Sequence, residues 1–148
     1  MAEVQNFEAA KALLVNADGK VLILREATTY EEGTNHGIYG LPGGRLEPEE
    51  DFDDGLRREV KEEIGITDFE ILHIVHQAEW SPIIKGNQCH IVGKFVVCRL
   101  LGDADITLSS EHDEATWIDP KERRNYDIMS RDDIAIDNLV AYIEQLAN

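Results

Sequence analysis

A cluster of acidic residues on one predicted helix constrains this 148-residue chain more than any other stretch. The segment Gly44 to Ile66, GRLEPEEDFDDGLRREVKEEIGI, opens on a glycine and predicts a helix that ends at Gly65. On this helix Glu59, Glu62 and Glu63 are spaced i, i+3 and i+4, so their carboxylates share one face. Like charges at this spacing destabilise a helix by about 0.2–0.5 kcal/mol per pair, and a divalent cation bound through oxygen atoms would relieve the repulsion.

The same helix carries an apolar stripe beside its acidic face. Asp51 is a typical N-cap residue and predicts the helix start. Gly55, one turn before Glu59, lowers helix propensity by up to about 1 kcal/mol relative to alanine, and we expect its missing side chain to leave room for a ligand over the acidic face. The stripe recurs every four residues, at Phe52, Leu56, Val60 and Ile64.

The charge balance limits the classes of partner. Thirty acidic and fourteen basic residues give a net charge of -16, and no basic run is present to neutralise the phosphates of a nucleic acid polymer or an anionic membrane. A phosphate-bearing substrate would need cations supplied with it.

The length fits one domain, residues 1–148, which can bury a core without disulfides. Cys89 and Cys98 belong to no CxxC pair, and we expect them to be reduced thiols. No signal-peptide pattern and no apolar run of about 18 residues occurs, so we expect a cytoplasmic monomer or homodimer.

Strand and turn signals occupy most of the remaining chain. Two apolar runs, within Phe7–Val15 and Val21–Leu24, flank a turn sequence and predict a hairpin. Two long strands are predicted at Asp68–His76 and Gln88–Leu101, joined by a loop that holds Trp80 and Pro82, and a short strand at Ala115–Ile118.

The chain ends in a second predicted helix. Asp119-Pro120 predicts a preceding helical turn, and Ser130 is expected to cap the helix Arg131–Leu146. Its expected apolar face consists of Ile134, Leu139, Val140, Ile143 and Leu146.

Gly44, Glu50 and the run Arg58 to Ile66 together resemble the complete Nudix box: a glycine, a glutamate, an Arg-Glu pair, an aliphatic residue, a Glu-Glu pair, a glycine and a closing aliphatic residue. This resemblance implies an α/β/α sandwich around a mixed, partly antiparallel sheet. It also implies hydrolysis of a nucleoside diphosphate linked to another group, with magnesium, or manganese in its place, between the protein and the phosphates.

The resemblance also implies roles for individual residues. Glu59, Glu62 and Glu63 match the metal-binding glutamates, one of which can instead act as the general base. The carbonyl of Gly43 matches a further metal ligand. Arg58 matches an arginine that orients a glutamate, and Glu50 is its expected partner.

Relatives in the family also carry an acid in the loop before a Trp-containing strand. Here that loop precedes Trp117, and we expect Glu111 to be a fourth metal ligand or the base, with Glu114 as second choice. We expect His112, like the other four histidines, to be a surface or hydrogen-bonded residue rather than a catalyst.

The substrate is less constrained. Tyr39 and Trp80 can each stack a nucleobase, with packing in the core as the alternative for both. A nucleoside triphosphate competes with ADP-ribose or another nucleotide sugar, and Pro82, sixteen residues after Ile66, resembles a marker of the ADP-ribose-hydrolysing subgroup. A catalytically silent nucleotide sensor is the alternative function. An isoprenoid diphosphate isomerase is not supported, because neither cysteine of this chain lies in a context that suggests a catalytic thiol.

Overall fold

The computed structural model describes residues 3–102 and 105–147. In these ranges the helices are α1 (Phe52–Ile64), a 3₁₀ helix (Pro120–Asn125) and α2 (Ser130–Leu146). The strands are β1 (Gln5–Val15), β2 (Val21–Glu26), β3 (Tyr39–Gly40), β4 (Gly43–Arg45), β5 (Phe69–Trp80), β6 (Ile83–Ile84), β7 (Asn87–Leu100) and β8 (His112–Ile118). No helix in the described ranges is both long and apolar enough to cross a membrane.

The sheet is mixed, in the order β3-β2-β1-β7-β5. β1 and β7 run parallel over eleven residue pairs, from Gln5↔Cys89 to Val15↔Arg99, whereas β5 is antiparallel to β7. β2 turns back from β1 at Val15↔Val21, which confirms the predicted hairpin, and β8 pairs with β2 on its other side. β4 pairs antiparallel with the middle of β1, over the three residues from Ala9 to Lys11.

The two faces of this sheet are covered by one helix each. α1 contributes Leu56, Val60 and Ile64 to a core cluster that also contains Leu14 of β1. α2 contributes Ala135, Ile136 and Leu139 to a second cluster, where β1 supplies Leu13 from its opposite face. The predicted α/β/α sandwich with a mixed sheet is therefore confirmed.

α1 follows its prediction closely. Leu56, Val60 and Ile64 are fully buried, and Phe52 is partly buried at the edge of the same cluster. The helix ends at Gly65, whose φ of 75° closes the last turn with a hydrogen bond from its N–H to the carbonyl of Lys61. Asp51 occupies the N-cap position, as predicted, although its side chain makes no capping hydrogen bond.

α2 departs from its predicted face. Ile134, Ile143 and Leu146 are exposed, whereas the buried side includes the carboxylate of Asp132. Ser130 is the first helical residue and Met129 the N-cap, so the predicted cap was also wrong. The spacing of apolar residues could not predict this buried face, because it includes Asp132, which accepts a hydrogen bond from the backbone N–H of Leu41.

Two further boundaries differ from prediction. Trp80 is the last residue of β5, because its ring rests on β7 at Gly93, where a Cβ atom would lie 2.5 Å from Cη2. β8 begins at His112, three residues earlier than predicted, since its first residues continue the pairing with β2. Cys89 and Cys98 are both free thiols and both buried.

Candidate active site

The turn that enters β4 brings backbone close to the end of α1. Gly43 has a φ of 134°, and a Cβ atom there would lie 2.8 Å from the Cα of Lys11 and still closer to the carbonyl oxygen of Ala10. Only glycine fits this approach. The N–H of Gly43 donates to Glu63 Oε1 at 2.7 Å, so the turn fixes one oxygen of a carboxylate that is only 6% exposed.

The loop before β8 completes this site from the other side. The N–H of Ser109 donates to the carbonyl of Glu63, and the N–H of Ala27 donates to the carbonyl of Glu111. These contacts bring one ligand atom each from Glu63, Glu111 and His112 within 4.8 Å of one another. The three side chains can therefore hold one cation together.

Arg58 organises a second group of acids next to the first. It donates to both oxygens of Glu50, from Nε at 2.7 Å and Nη2 at 2.9 Å, in a bidentate pair. Its Nη1 donates to Glu59 at 3.1 Å and to Glu62 at 3.3 Å. The Arg58–Glu50 partnership expected from the sequence is thus present, and the same arginine positions Glu59 and Glu62.

Burial controls the charge of these carboxylates. Loss of solvent raises the pKa of Glu63 to about 8, more than the nearby Lys11 and the Gly43 N–H lower it. Desolvation also raises the pKa of Glu59 and of Glu111. His112 shows the opposite effect, because burial lowers its pKa to about 4 and favours the neutral imidazole, a form that can bind a metal.

The Arg58 guanidinium has a different effect on Glu50. Hydrogen bonding to Arg58 lowers the pKa of Glu50 to about 2, so this carboxylate stays ionised at neutral pH. Glu50 therefore keeps Arg58 in place, and Arg58 Nη1 remains available to contact Glu59 and Glu62.

A cavity of about 660 Å³ adjoins the acidic groups. Gly44 lies between the two, because it lines the cavity and a Cβ atom there would lie 2.7 Å from Glu59 Oε2. The cavity wall is basic although the chain is acidic. Its charged side chains are Lys11, Glu32, Arg45, Lys85 and Arg131.

The two aromatic residues expected to stack a base have other contacts. Trp80 lines the cavity, but the guanidinium of Arg131 lies over its ring, 4.1 Å from the centroid. Tyr39 donates to Glu114 at 2.7 Å and packs edge-to-face against Tyr126.

Two predictions about the site were wrong: Glu114 as the second-choice ligand, and an open space over Gly55. Glu114 is held by Tyr39 and by Arg25, whose Nη1 lies 3.1 Å from Glu114 Oε2, so it is not part of the Glu63 group. The space over Gly55 is filled by Leu46 and Glu50, which a Cβ atom at residue 55 would contact, so no ligand fits there.

The model of the NUDIX domain matches residues 6–139, most of the chain. This protein belongs to the Nudix family. The similarity extends over the site, since the matched range holds every acid described above.

Relatives and solved structures agree with this assignment. Nucleoside triphosphatase NudI of Klebsiella pneumoniae (strain 342) is 28% identical over 125 residues, covering 78% of this chain and 84% of the relative. CTP pyrophosphohydrolase of Escherichia coli (strain K12) is 25% identical, covering 82% of each. The MutT protein of Methanosarcina mazei Go1 shares the fold, with a TM-score of 0.75 at 24% identity over 96% of this chain and 98% of that one.

Sequence reasoning missed three residues of this Nudix site. His112 was expected to be a surface or hydrogen-bonded residue, yet its Nδ1 lies 3.7 Å from Glu63 Oε2 and is buried without a hydrogen-bond partner in the described structure. Lys11 interrupts the apolar run within Phe7–Val15, and this was the available signal, because a lysine within a core strand needs a reason to be there. Arg131, at the start of α2, gave no comparable signal.

Proposed function

We propose that this Nudix domain is a magnesium-dependent nucleotide pyrophosphohydrolase that cleaves a nucleoside triphosphate to the monophosphate and pyrophosphate. The observation that carries the proposal is the buried Glu63 carboxylate, held by Gly43 beside Glu111, next to a basic cavity. The two relatives named as a nucleoside triphosphatase and a CTP pyrophosphohydrolase support the triphosphate as substrate.

The residues present fit a divalent cation. Glu63 is almost fully buried and its pKa is raised by desolvation, while His112 Nδ1 beside it is buried without a hydrogen-bond partner; a cation would stabilise the charged carboxylate and give Nδ1 a partner. The donors that would hold magnesium are mainly oxygen atoms, which suit magnesium or manganese. They are Glu59, Glu62, Glu63, Glu111 and the carbonyl of Gly43, with His112 as a nitrogen donor beside Glu63 and Glu111. A divalent ion held by these residues would neutralise phosphate charge and lower the pKa of coordinated water.

The chain supplies the remaining steps. Water attacks one phosphorus of the diphosphate linkage, and a carboxylate of the acidic group accepts its proton. The bond from that phosphorus to the bridging oxygen breaks, and the bridging oxygen leaves with the electron pair. Arg58 keeps Glu59 and Glu62 in place through its contacts of 3.1 and 3.3 Å, so catalysis depends on positioning and charge.

Lys11 connects the two halves of the site. It lines the cavity and acts electrostatically on Glu63 and Glu111, while its Nζ lies 3.9 Å from the buried Asp132. A substrate phosphate bound between the cavity and the acidic group would therefore lie near the positive charge of Lys11.

A second substrate class is a nucleoside diphosphate linked to a sugar, such as ADP-ribose. The observation that favours it is the position of Pro82, which lines the cavity. A silent sensor would bind the nucleotide in the same place without releasing a product.

A product panel tests these alternatives. The purified protein is incubated with magnesium and nucleoside triphosphates, nucleotide sugars or dinucleoside polyphosphates, in water labelled with oxygen-18. We expect a nucleoside monophosphate and pyrophosphate from the triphosphates, and the label identifies the phosphorus attacked. Cleavage of nucleotide sugars alone would replace the triphosphate assignment, and binding of nucleotide without any product would leave the sensor.

A further inference from the structure

The guanidinium of Arg131 lines the cavity, lies over the ring of Trp80 and has an unpaired donor. It lies 4.1 Å from the ring centroid of Trp80, and Trp80 in turn rests on Gly93 of the central strand β7. Arg131 follows the first residue of α2, so both ends of this contact belong to regular elements of the sandwich. The aromatic ring therefore holds the guanidinium in place through a cation–π contact.

The donors of Arg131 are largely unused. Its Nε atom is buried without a partner, and Nη2 is 3.9 Å from the sulfur of Met129, with no oxygen acceptor among the described residues. Arg58, Arg25 and Arg99, by contrast, each donate to a carboxylate. The adjacent Asp132 acts on Arg131 through its charge, but the described structure has no hydrogen bond between the two side chains, and Asp132 Oδ2 accepts from Leu41 instead.

An arginine in this state favours ligands with a particular pattern of acceptors. A guanidinium only donates, and its fork matches two neighbouring acceptor atoms. Guanine offers O6 and N7 on one edge, and cytosine offers N3 and O2. Adenine places an amino group beside N1 and N7, and uracil places N3–H between its two carbonyl oxygens, so neither presents adjacent acceptors along a base edge.

We propose that Arg131, held over the ring of Trp80, selects the base of the nucleotide substrate by donating two hydrogen bonds to the adjacent acceptors of cytosine or guanine. This inference rests on the proposed function and specifies its substrate. Lys11 and Gly44 line the same cavity, and Gly44 borders Glu59, so a base at Arg131 directs its phosphates towards the acidic group.

Steady-state kinetics with CTP, GTP, ATP and UTP test the assignment. We expect kcat/KM for CTP or GTP to exceed that for ATP and UTP by about 5- to 150-fold, the discrimination typical of one bidentate pair. Whichever of CTP and GTP is preferred identifies the base. Arg131→Lys keeps the charge but loses the fork, so it should raise KM for the preferred nucleotide and bring the four values within a few-fold of each other, with little change in kcat.

Arg57→Lys is the matched control. Arg57 also lies over an aromatic ring, 4.7 Å from the centroid of Phe69, but outside the cavity. Arg57→Lys should leave the ratios of kcat/KM between the four nucleoside triphosphates unchanged. Equal kcat/KM for all four nucleotides in the wild type, or the wild-type ratios in Arg131→Lys, would overturn the proposal.

Binding separates this inference from the proposed function. Titration calorimetry with CMP, GMP, AMP and UMP should give the same preference in the wild type and lose it in Arg131→Lys. Hydrolysis of no triphosphate would refute the proposed function, while the monophosphate affinities would still decide the role of Arg131. Equal affinities for the four, or no binding of any, would refute that role.

Discussion

The two helices each bury one carboxylate, and both carboxylates are anchored to the same short segment. Glu63 of α1 accepts the N–H of Gly43 at 2.7 Å, and Asp132 of α2 accepts the N–H of Leu41 at 2.9 Å. They are the buried charged residues of the described structure. The segment from Leu41 to Gly43 is therefore held from both faces of the sheet.

The difference between the two acids lies in their remaining contacts. Asp132 is fully buried, and Lys11 lies 3.9 Å away from the same oxygen that accepts the Leu41 N–H. Glu63 instead directs its second oxygen towards His112, with Glu111 in the same group. A hydrogen bond from a backbone N–H thus holds both acids. In α2 it only fixes Asp132 in place, whereas in α1 it leaves the second oxygen of Glu63 free to take part in chemistry.

Replacing Glu63 should produce the largest effect on activity. Glu63→Gln can still accept the Gly43 N–H but loses its charge, so we expect the protein to remain folded while turnover falls by about 100- to 10,000-fold. Magnesium-dependent release of pyrophosphate is the measurement. Exposed Glu122→Gln is the control, and near-normal turnover in Glu63→Gln would remove Glu63 from the proposed mechanism.

Asp132 should matter first for stability. Asp132→Ala leaves the buried N–H of Leu41 without an acceptor and Lys11 without its neighbour, so we expect a loss of about 3 kcal/mol in urea unfolding. Glu70→Ala, which removes the partner of the exposed Arg99, should cost less than about 1 kcal/mol. Similar losses in both variants would show that Asp132 is no anchor.

Glu111 tests how far the acidic group extends. If Glu111 helps to hold the ion, Glu111→Gln should raise the magnesium concentration for half-maximal turnover by at least about tenfold. Glu114→Gln is a matched control three residues away, because Glu114 is held by Arg25 and Tyr39. An unchanged magnesium requirement in Glu111→Gln would restrict the site to the glutamates of α1.

The pKa of Glu63 predicts how metal-free stability depends on pH. Because the folded-state pKa is raised to about 8 from 4.5, the folded protein binds more protons between these values, and the free energy of unfolding falls as pH rises. The pKa of His112 is lowered from 6.5 to about 4, so His112 opposes this trend only below about pH 6.5. Stability should therefore fall from pH 6.5 to 8.

Urea unfolding without metal at the two pH values measures this effect. Glu63→Gln should remove most of the difference, and millimolar magnesium should reduce it, since a bound cation stabilises the ionised form. An equal slope in the wild type and in Glu63→Gln would contradict the assignment to Glu63.

Lys11 should give the smallest effect of the set. Lys11→Met removes the positive charge between the two buried acids, and we expect KM for the triphosphate to rise about tenfold, equivalent to about 1.4 kcal/mol. Exposed Lys20→Met in the β1–β2 turn is the control. If Lys11→Met changes stability but not KM, the role of Lys11 is limited to stabilising the buried Asp132.

The sequence predicted α1 well because its local signals agree. The four-residue period placed Leu56, Val60 and Ile64 in the core, and Arg58 next to Glu50 followed from the motif. α2 was predicted poorly because its buried face includes Asp132, whose acceptor role depends on a backbone N–H 91 residues away in sequence. Local periodicity contains no information about such a contact.

The candidate site divides in the same way. By itself the sequence determined the family, the acidic helix and the glycine turn, because these depend on residue types at fixed short spacings. Only the tertiary structure placed His112 beside Glu63, directed Lys11 into the cavity and covered Trp80 with Arg131. The physical reason is that strand pairing and helix packing bring these side chains together from distant parts of the chain, and no short segment encodes their distances.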